Sequence, residues 1–212
     1  MDWPAWWRKD PADTAPRWLM VDVETSGLDP ARDRLLAIAA VGLRVDWSTR
    51  RLSVVLADSF EVVLRQEAAS DRDNILLHGI GVQRQKEGVP AREALSAFAA
   101  YAGEAPLLAF HAAFDLTLIG RHARAALGTS PANPWLDIEH LCAATHPEVA
   151  ARSLDEWMAY FGIRCAARHV AIADALAECD LLLRIWPQVA AECAGWRDVQ
   201  RLAAGHRWIR RR

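Results

Sequence analysis

The chain has 212 residues, of which 52% are hydrophobic and 25% charged, and its formal net charge is −2. This composition is typical of a globular protein and excludes a collagen-like, coiled-coil or wholly disordered chain. Since domains average ~150 residues, it favours one domain. The near-neutral charge gives no global field toward nucleic acid or anionic lipid, so a nucleic-acid partner would have to be held by a local site.

The sequence favours a cytoplasmic protein with no membrane partner. Its longest apolar run, residues 35–43, is far shorter than the roughly 18 residues of a membrane span. The first ten residues lack the basic start and apolar core of a secretory signal. The four cysteines form no C-x-x-C pair, and we expect them to be reduced thiols.

The first part of the chain predicts an irregular arm followed by three strands. Residues 1–17 contain three tryptophans and three prolines without periodicity, which is typical of an arm outside the domain. Apolar runs at 18–23, 35–45 and 52–64 then predict strands with short links. Such spacing favours an antiparallel meander.

Helical periodicity begins after the meander. We predict helices over 91–101 and 112–127, strands over 106–110 and 135–138, and two later helices. The first of these begins at a capping box of Ser153 and Glu156 and stops at Gly162. The second covers 170–186 and is ended by Pro187.

These elements have the order βββαβαβ followed by helices, without an internal repeat. This order predicts an α/β protein with a mixed sheet covered by helices. We assign residues 18–200 to the domain and residues 201–212 to a basic C-terminal tail, which could contact phosphate but is more simply a solvated run of charge.

The first candidate site lies at the end of the first strand. Asp22 and Glu24 are two residues apart, so their side chains leave the same face and can converge. Convergent carboxylates repel each other unless a cation joins them, and Mg²⁺ prefers such oxygen ligands. An Asp-x-Glu triplet also occurs about once by chance in a chain of this length, so the pair needs further support.

Two other segments provide acidic residues in apolar surroundings. Asp115 follows a short apolar strand at the start of a helix, where it either lines a site or complements the helix dipole from an exposed position. His169 lies just before a helix, five residues ahead of Asp174 in the sequence. Histidine is mostly neutral near pH 7 and can accept a proton beside a carboxylate-bound metal.

Together these segments resemble a known family. Residues 22–28 (Asp-Val-Glu-Thr-Ser-Gly-Leu), 110–115 (Phe-His-Ala-Ala-Phe-Asp) and 169–174 (His-Val-Ala-Ile-Ala-Asp) look like the three motifs of the DEDDh 3′-to-5′ exonucleases, which include the proofreading epsilon subunit of the bacterial replicative polymerase, RNase T and oligoribonuclease. Residues 78–80 and the run 153–163 also resemble that family. The likeness covers about residues 18–186 and implies an RNase H-like fold with a mixed five-stranded sheet.

The resemblance also implies a catalytic mechanism. It implies hydrolysis of the 3′-terminal phosphodiester with two Mg²⁺ or Mn²⁺ ions ~3.5 to 4 Å apart. Asp22 would bridge both ions, Glu24 and Asp174 would complete the first, and Asp115 would hold the second. His169 would be the general base. The resemblance implies four substrate-binding residues: Thr25 near the terminal 3′-hydroxyl, Leu28 as a wedge against the terminal base, His111 and Phe114.

Several alternatives remain open on the sequence alone. His111 stands where related proteins usually carry Asn, which leaves its role open. The expected partners are single-stranded or frayed 3′ ends, with DNA slightly favoured over RNA, and a polymerase complex or a second copy of the chain could also bind. The alternative function is a non-catalytic adaptor that keeps the fold to hold nucleic acid or a polymerase, with the Trp-rich arm as its docking element. Four buried carboxylates without metal would make that alternative costly.

Overall fold

The computed structural model describes the backbone of residues 16–209 and the side chains of residues 16–205. Within this range five strands form one sheet in the order β3-β2-β1-β4-β5. They are β1 (Arg17–Thr25), β2 (Leu35–Asp46), β3 (Arg51–Val63), β4 (Leu107–Ala109) and β5 (Trp135–Asp137). The sheet is mixed, because β1, β2 and β3 pair antiparallel whereas β1, β4 and β5 pair parallel. The predicted meander and five-stranded mixed sheet are confirmed.

Eight helices of the described range flank this sheet. They are α1 (Arg72–His78), α2 (Val82–Lys86), α3 (Ala91–Ala102), α4 (Ala113–Leu127), α5 (Ile138–Thr145), α6 (Leu154–Phe161), α7 (Ala171–Glu192) and α8 (Trp196–Ile209). The helices α3, α4 and α6 agree with the prediction to within a residue or two, and the capping box of Ser153 and Glu156 is formed.

The sheet is buried on both faces, and the alternation of side chains along β1 assigns each face. Trp18 and Met20 point into a large apolar cluster that also contains residues of α5, α6, α7 and α8. Leu19 and Val21 point into a second cluster, formed with α3 and α4. Residues 22 and 24 share the parity of Trp18 and Met20. They therefore leave β1 on the face covered by α7.

The predicted end of α7 at Pro187 is wrong. The helix continues through Pro187 to Glu192, although proline removes one intrahelical hydrogen bond. The apolar spacing explains this, because Val189 and Ala190 beyond the proline are buried in the same cluster as Ile185. Burial of this second part of the helix outweighs the lost hydrogen bond.

The predicted start of the tail at residue 201 falls inside α8. The spacing of Trp196, Val199 and Ala203 places these three residues on one face of the helix, where they are buried. Residues 201–209 therefore extend a packed helix. Residues 1–15 of the predicted N-terminal arm, with Trp3, Trp6 and Trp7, and the last three arginines lie outside the described residues, whereas Arg17, which was assigned to the arm, is the first residue of β1.

The described residues also test two smaller expectations. Cys142, Cys165, Cys179 and Cys193 are all free, in agreement with the prediction of unpaired thiols. None of the helices in the described part of the chain combines the length and the apolar character needed to cross a membrane.

Candidate active site

A cluster of carboxylates lies where β1 ends beneath the first turn of α7. Asp22 and Glu24 reach it from β1, and Asp174 reaches it from α7, where it is buried. One ligand atom from each of these residues lies within 4.8 Å of the others. Three oxygen donors at this separation can bind one hard divalent cation. The sequence placed these three residues together, and they are together in the structure.

Asp174 is held by the segment that precedes α7. The backbone N–H of His169 donates to Oδ2 of Asp174 at 2.8 Å, and the guanidinium of Arg168 donates to Oδ1. Arg168 also donates through Nε to Oδ1 of Asp155 at 2.6 Å. These bonds fix the carboxylate of Asp174 and partly neutralise it.

Asp115 is buried and only 4% exposed, so the alternative of an exposed first-turn aspartate is wrong. It lies in the first turn of α4, which begins just after β4. Because β1 and β4 are parallel neighbours, their carboxyl ends meet at the same edge of the sheet. Asp115 therefore faces the same region as Asp22 and contributes to its electrostatic potential.

The electrostatics of the cluster favour a bound cation. Burial and the neighbouring carboxylates of Glu178, Asp115, Glu24 and Asp174 raise the pKa of Asp22 well above its usual value. Burial and the charge of Asp174 raise the pKa of Glu24 to about 8, against a smaller opposing effect of Arg168. Crowded carboxylates of this kind either retain protons or bind cations. The oxygen donor set and its repulsion therefore fit a divalent metal site.

Two acidic residues at the site were not predicted from the sequence. Glu178 is 2% exposed, and its Oε2 accepts the backbone N–H of Phe110 at 3.3 Å. Oδ1 of Asp137 accepts the N–H of His111 at 3.0 Å. Both carboxylates thus hold the turn between β4 and α4. Glu178 could have been predicted as a site residue, because it lies one helical turn after Asp174. Nothing in the three residues of β5 marks Asp137 as a site residue in the same way.

Both histidines of the predicted motifs have left-handed backbone conformations. His111 and His169 each have φ of 60°, and both side chains are exposed. Non-glycine residues rarely adopt this region, but Asn, Asp and His tolerate it better than most. The backbone at residue 111 therefore explains why His can stand where Asn is usual. Strained residues of this kind are often found at functional sites.

The remaining predicted site residues lie around the cluster in different environments. Thr25 is buried at the end of β1, and its Oγ1 donates to the carbonyl of Gly27 at 2.5 Å. Leu28 is 91% exposed on the following loop. Phe114 is half-buried against the cluster formed by α3 and α4. Leu28 is thus free to contact a ligand, whereas Phe114 also has a packing role.

Comparison with known proteins places this site in a family. The exonuclease family model of the RNase T type matches residues 19–182. The DNA polymerase III PolC-type protein of Caldanaerobacter subterraneus subsp. tengcongensis is 25% identical over 168 residues, which are 79% of this chain and 11% of that protein. The DNA polymerase III subunit epsilon-like protein of Rhodobacter capsulatus is 29% identical over 177 residues, 82% of this chain and 24% of that protein. The chain thus spans a quarter or less of the length of these relatives.

Solved structures agree on the fold. Escherichia coli exonuclease I in its zinc-bound complex with single-stranded DNA superposes with a TM-score of 0.67 at 17% identity, covering 83% of this chain and 43% of that chain. Its complex with a dA16 oligonucleotide gives the same TM-score of 0.67. At this identity the likeness establishes the RNase H-like exonuclease fold. Because the family model covers most of the described residues, the chain belongs to the exonuclease family.

Proposed function

We propose that this protein is a metal-dependent 3′-to-5′ exonuclease that releases mononucleotides from single-stranded or frayed 3′ ends. The observation that carries the proposal is the convergence of Asp22, Glu24 and Asp174 within 4.8 Å, with Asp115 buried beside them. Carboxylates that are crowded at such distances and largely shielded from solvent are costly without cations. Phosphodiester hydrolysis is a reaction in which such cations serve.

The carboxylates would hold two Mg²⁺ or Mn²⁺ ions. Asp22, central among the acidic groups, would contact both ions, Glu24 and Asp174 would complete the first site, and Asp115 would hold the second. When bound, the cations would stabilise the charge that develops on the phosphate in the transition state. Arg168, which now pairs with Asp174, would keep that carboxylate oriented.

His169 is the proposed general base. Its backbone N–H is bonded to Asp174, and its exposed side chain is free to meet the attacking water at the edge of the cluster. A ring nitrogen of neutral His169 would accept the proton from this water. The left-handed backbone at residue 169 is consistent with a side chain whose direction is constrained for function.

Four further residues would bind the terminal nucleotide. The backbone at Thr25 would meet the 3′-hydroxyl, and exposed Leu28 would pack against the terminal base. His111 and Phe114 would line the opposite side of the terminal nucleotide. The names of the relatives and the single-stranded DNA complexes of exonuclease I support a slight preference for DNA over RNA and a polymerase-associated partner.

The adaptor hypothesis accounts less well for the site. A non-catalytic chain has no need of Asp22, Glu24 and Asp115, whose pKa values are all raised by burial and by acidic neighbours. Retention of the whole set favours a metal-dependent enzyme.

The direction of digestion and the requirement for a free 3′-hydroxyl together test the proposal. A 5′-labelled single strand should shorten one nucleotide at a time, and a 3′-terminal phosphate should block the reaction because a dianion would crowd the carboxylates. Cleavage of a circular single strand, which has no end, would instead reveal an endonuclease. A chain that binds these strands but releases no mononucleotide in Mg²⁺ or Mn²⁺ would support the adaptor.

A further inference from the structure

A β-bulge lies at the end of the β1–β2 pair, at the candidate site. The register shifts between Glu24 and Thr25 of β1, which pair with Ala37 and Leu35, so the extra residue is Leu36 of β2. A bulge leaves backbone groups outside the regular ladder and redirects the adjacent side chains. The carbonyl oxygen of Thr25 accepts a hydrogen bond at 2.8 Å from Nδ2 of Asn74 on α1. The bulge is therefore fixed by a residue 49 positions away along the chain.

His78 determines which way the amide of Asn74 points. The backbone N–H of Ile80 donates to Nδ1 of His78 at 2.9 Å, so Nδ1 is the acceptor and Nε2 carries the proton. Nε2 lies 2.8 Å from Oδ1 of Asn74. This bond directs Oδ1 toward His78 and leaves Nδ2 to face the carbonyl of Thr25.

The surroundings of His78 keep this arrangement rigid. His78 is 3% exposed, and burial lowers its pKa, which favours the neutral form. Ser70 lies beside Nε2, with its Oγ at 3.5 Å, and fully buried Gln85 donates to Oγ of Ser70 at 2.9 Å and to the carbonyl of Ile80 at 2.8 Å. Buried networks whose members are satisfied are rigid.

Packing does not account for this connection. His78 is the only buried residue of α1, while Leu76 and Leu77 are 71% and 53% exposed. The helix therefore contributes little apolar burial to the core. Its attachment to the end of β1 is polar, and it passes through Asn74.

We propose that Asn74 and His78 are positioning residues that fix the bulge opposite Glu24 and Thr25 and so align the terminal 3′-hydroxyl of the substrate. This inference rests on the proposed exonuclease function. Asn74 acts through the backbone of Thr25, and His78 acts through Asn74. Neither side chain needs to touch the scissile phosphate.

The first test needs no activity. Asn74→Asp keeps the size of the side chain but replaces the donor by a carboxylate, which repels the carbonyl of Thr25. Amide hydrogen exchange at Ser26, whose N–H donates to the carbonyl of Arg34 at 3.0 Å, should accelerate in this variant, whereas exchange at Leu19 should not. His78→Phe, which keeps an aromatic ring but loses Nε2–H, should have the same effect.

The second test separates alignment from general stability. Wild type should prefer a 3′-hydroxyl over a 3′-deoxy end. In Asn74→Asp, kcat/KM for the hydroxyl end should fall about 10- to 100-fold, since small displacements of a reacting group cost this much. The ratio of kcat/KM for the 3′-hydroxyl end to that for the 3′-deoxy end should therefore fall toward one. The double variant Asn74→Asp with His78→Phe should lose little more than Asn74→Asp alone, because His78 acts through Asn74.

Asn133→Asp is the matched control, because Nδ2 of Asn133 also donates to backbone carbonyls, those of Gly103 and Ala105, away from the cluster. It should leave both the Ser26 exchange and the end preference at wild-type values. The inference is overturned if Asn74→Asp and His78→Phe also leave the Ser26 exchange and the end preference at wild-type values. It is equally overturned if these variants slow digestion of the 3′-hydroxyl and 3′-deoxy ends by the same factor without faster exchange at Ser26. If wild type degrades nothing but Asn74→Asp still accelerates exchange at Ser26, the proposed function fails and the positioning of the bulge stands.

Discussion

At the scale of single residues, the site depends on where a few side chains leave the backbone. The period of two along β1 places Asp22 and Glu24 on the face of α7, and the first turn of α7 supplies Asp174. This convergence could be predicted from spacing and from the family resemblance. The left-handed backbone of His111 and His169 could not be predicted, because residue spacing carries no signal for it; in the structure each backbone N–H donates to a carboxylate, that of Asp137 or of Asp174.

The role of His169 can be tested without disturbing this backbone. His169→Asn replaces the imidazole by a residue that tolerates a left-handed conformation but cannot act as a base. We expect the rate to fall ~10² to 10⁴-fold, the usual contribution of a positioned base, and the acidic limb of the pH–rate profile to change. His140→Asn, at a half-buried histidine outside the three motifs, is the control. A rate within a few-fold of wild type with an unchanged pH profile would mean that His169 only packs beside the site.

At the scale of elements, the long periodic segments and the short apolar strands β4 and β5 could be predicted, whereas the short helices α1 and α2 could not. The strands β1 to β3 and the helices α3 and α4 have clear apolar periods. The helices α1 and α2 have seven and five residues, too few for a period to be recognised. As a consequence, Asn74 was not predicted to contact the site. Pro187 misled the prediction because tertiary burial outweighed local preference.

The loop after β1 should control access of the terminal base. Ser26 and Arg121 tie this loop through bonds to Asp33 and Pro30, and Leu28 protrudes from it. We expect Leu28→Ala to slow digestion of duplex 3′ ends more than of single strands, because unpairing the last base costs a few kcal/mol. Leu56→Ala, at an exposed leucine of β3, is the matched control. Equal slowing of both substrates by Leu28→Ala would argue against the wedge.

Proline inside α7 should cost the protein stability. Pro187 is exposed, so Pro187→Ala removes little packing and restores an N–H for the carbonyl of Leu183. We expect the free energy of unfolding to rise by about 1 kcal/mol, part of the ~3 kcal/mol cost of an interior proline being offset by the greater freedom of the unfolded chain. Arg184→Ala controls for helix propensity in the same turn. Calorimetry that finds Pro187→Ala less stable would show that the helix needs a distortion at this point.

At the scale of the whole molecule, the raised pKa values of the carboxylate cluster couple folding to pH. The pKa of Glu24 is raised to about 8, and those of Asp22, Asp115 and Glu178 are also raised. Between pH 4.5 and 8 the folded protein therefore holds protons that the unfolded chain has released. Stability must fall as pH rises through this window.

Buried His78 and His122 oppose this trend below about pH 6.5, because their lowered pKa values favour unfolding at acidic pH. The diagnostic range is therefore pH 7 to 8. Without metal we expect Tm to fall over this range, and saturating Mg²⁺ or Mn²⁺ to raise Tm more at pH 8 than at pH 7. Glu24→Gln should flatten the metal-free slope. A metal-free Tm that is constant or rises from pH 7 to 8 would contradict the mutual repulsion of these carboxylates.

The most direct test of the account is the digestion of a 5′-labelled single-stranded DNA by wild type and by Asp22→Asn, with and without Mg²⁺ or Mn²⁺. Asp22→Asn keeps the shape of the side chain and removes the charge, and Glu104→Gln, at an exposed carboxylate, controls for charge alone. We predict a ladder that shortens from the 3′ end for wild type and Glu104→Gln only when metal is present, and no shortening for folded Asp22→Asn. Near wild-type digestion by Asp22→Asn, or equal digestion in the absence of divalent metal, would contradict the assignment of this cluster as the catalytic centre.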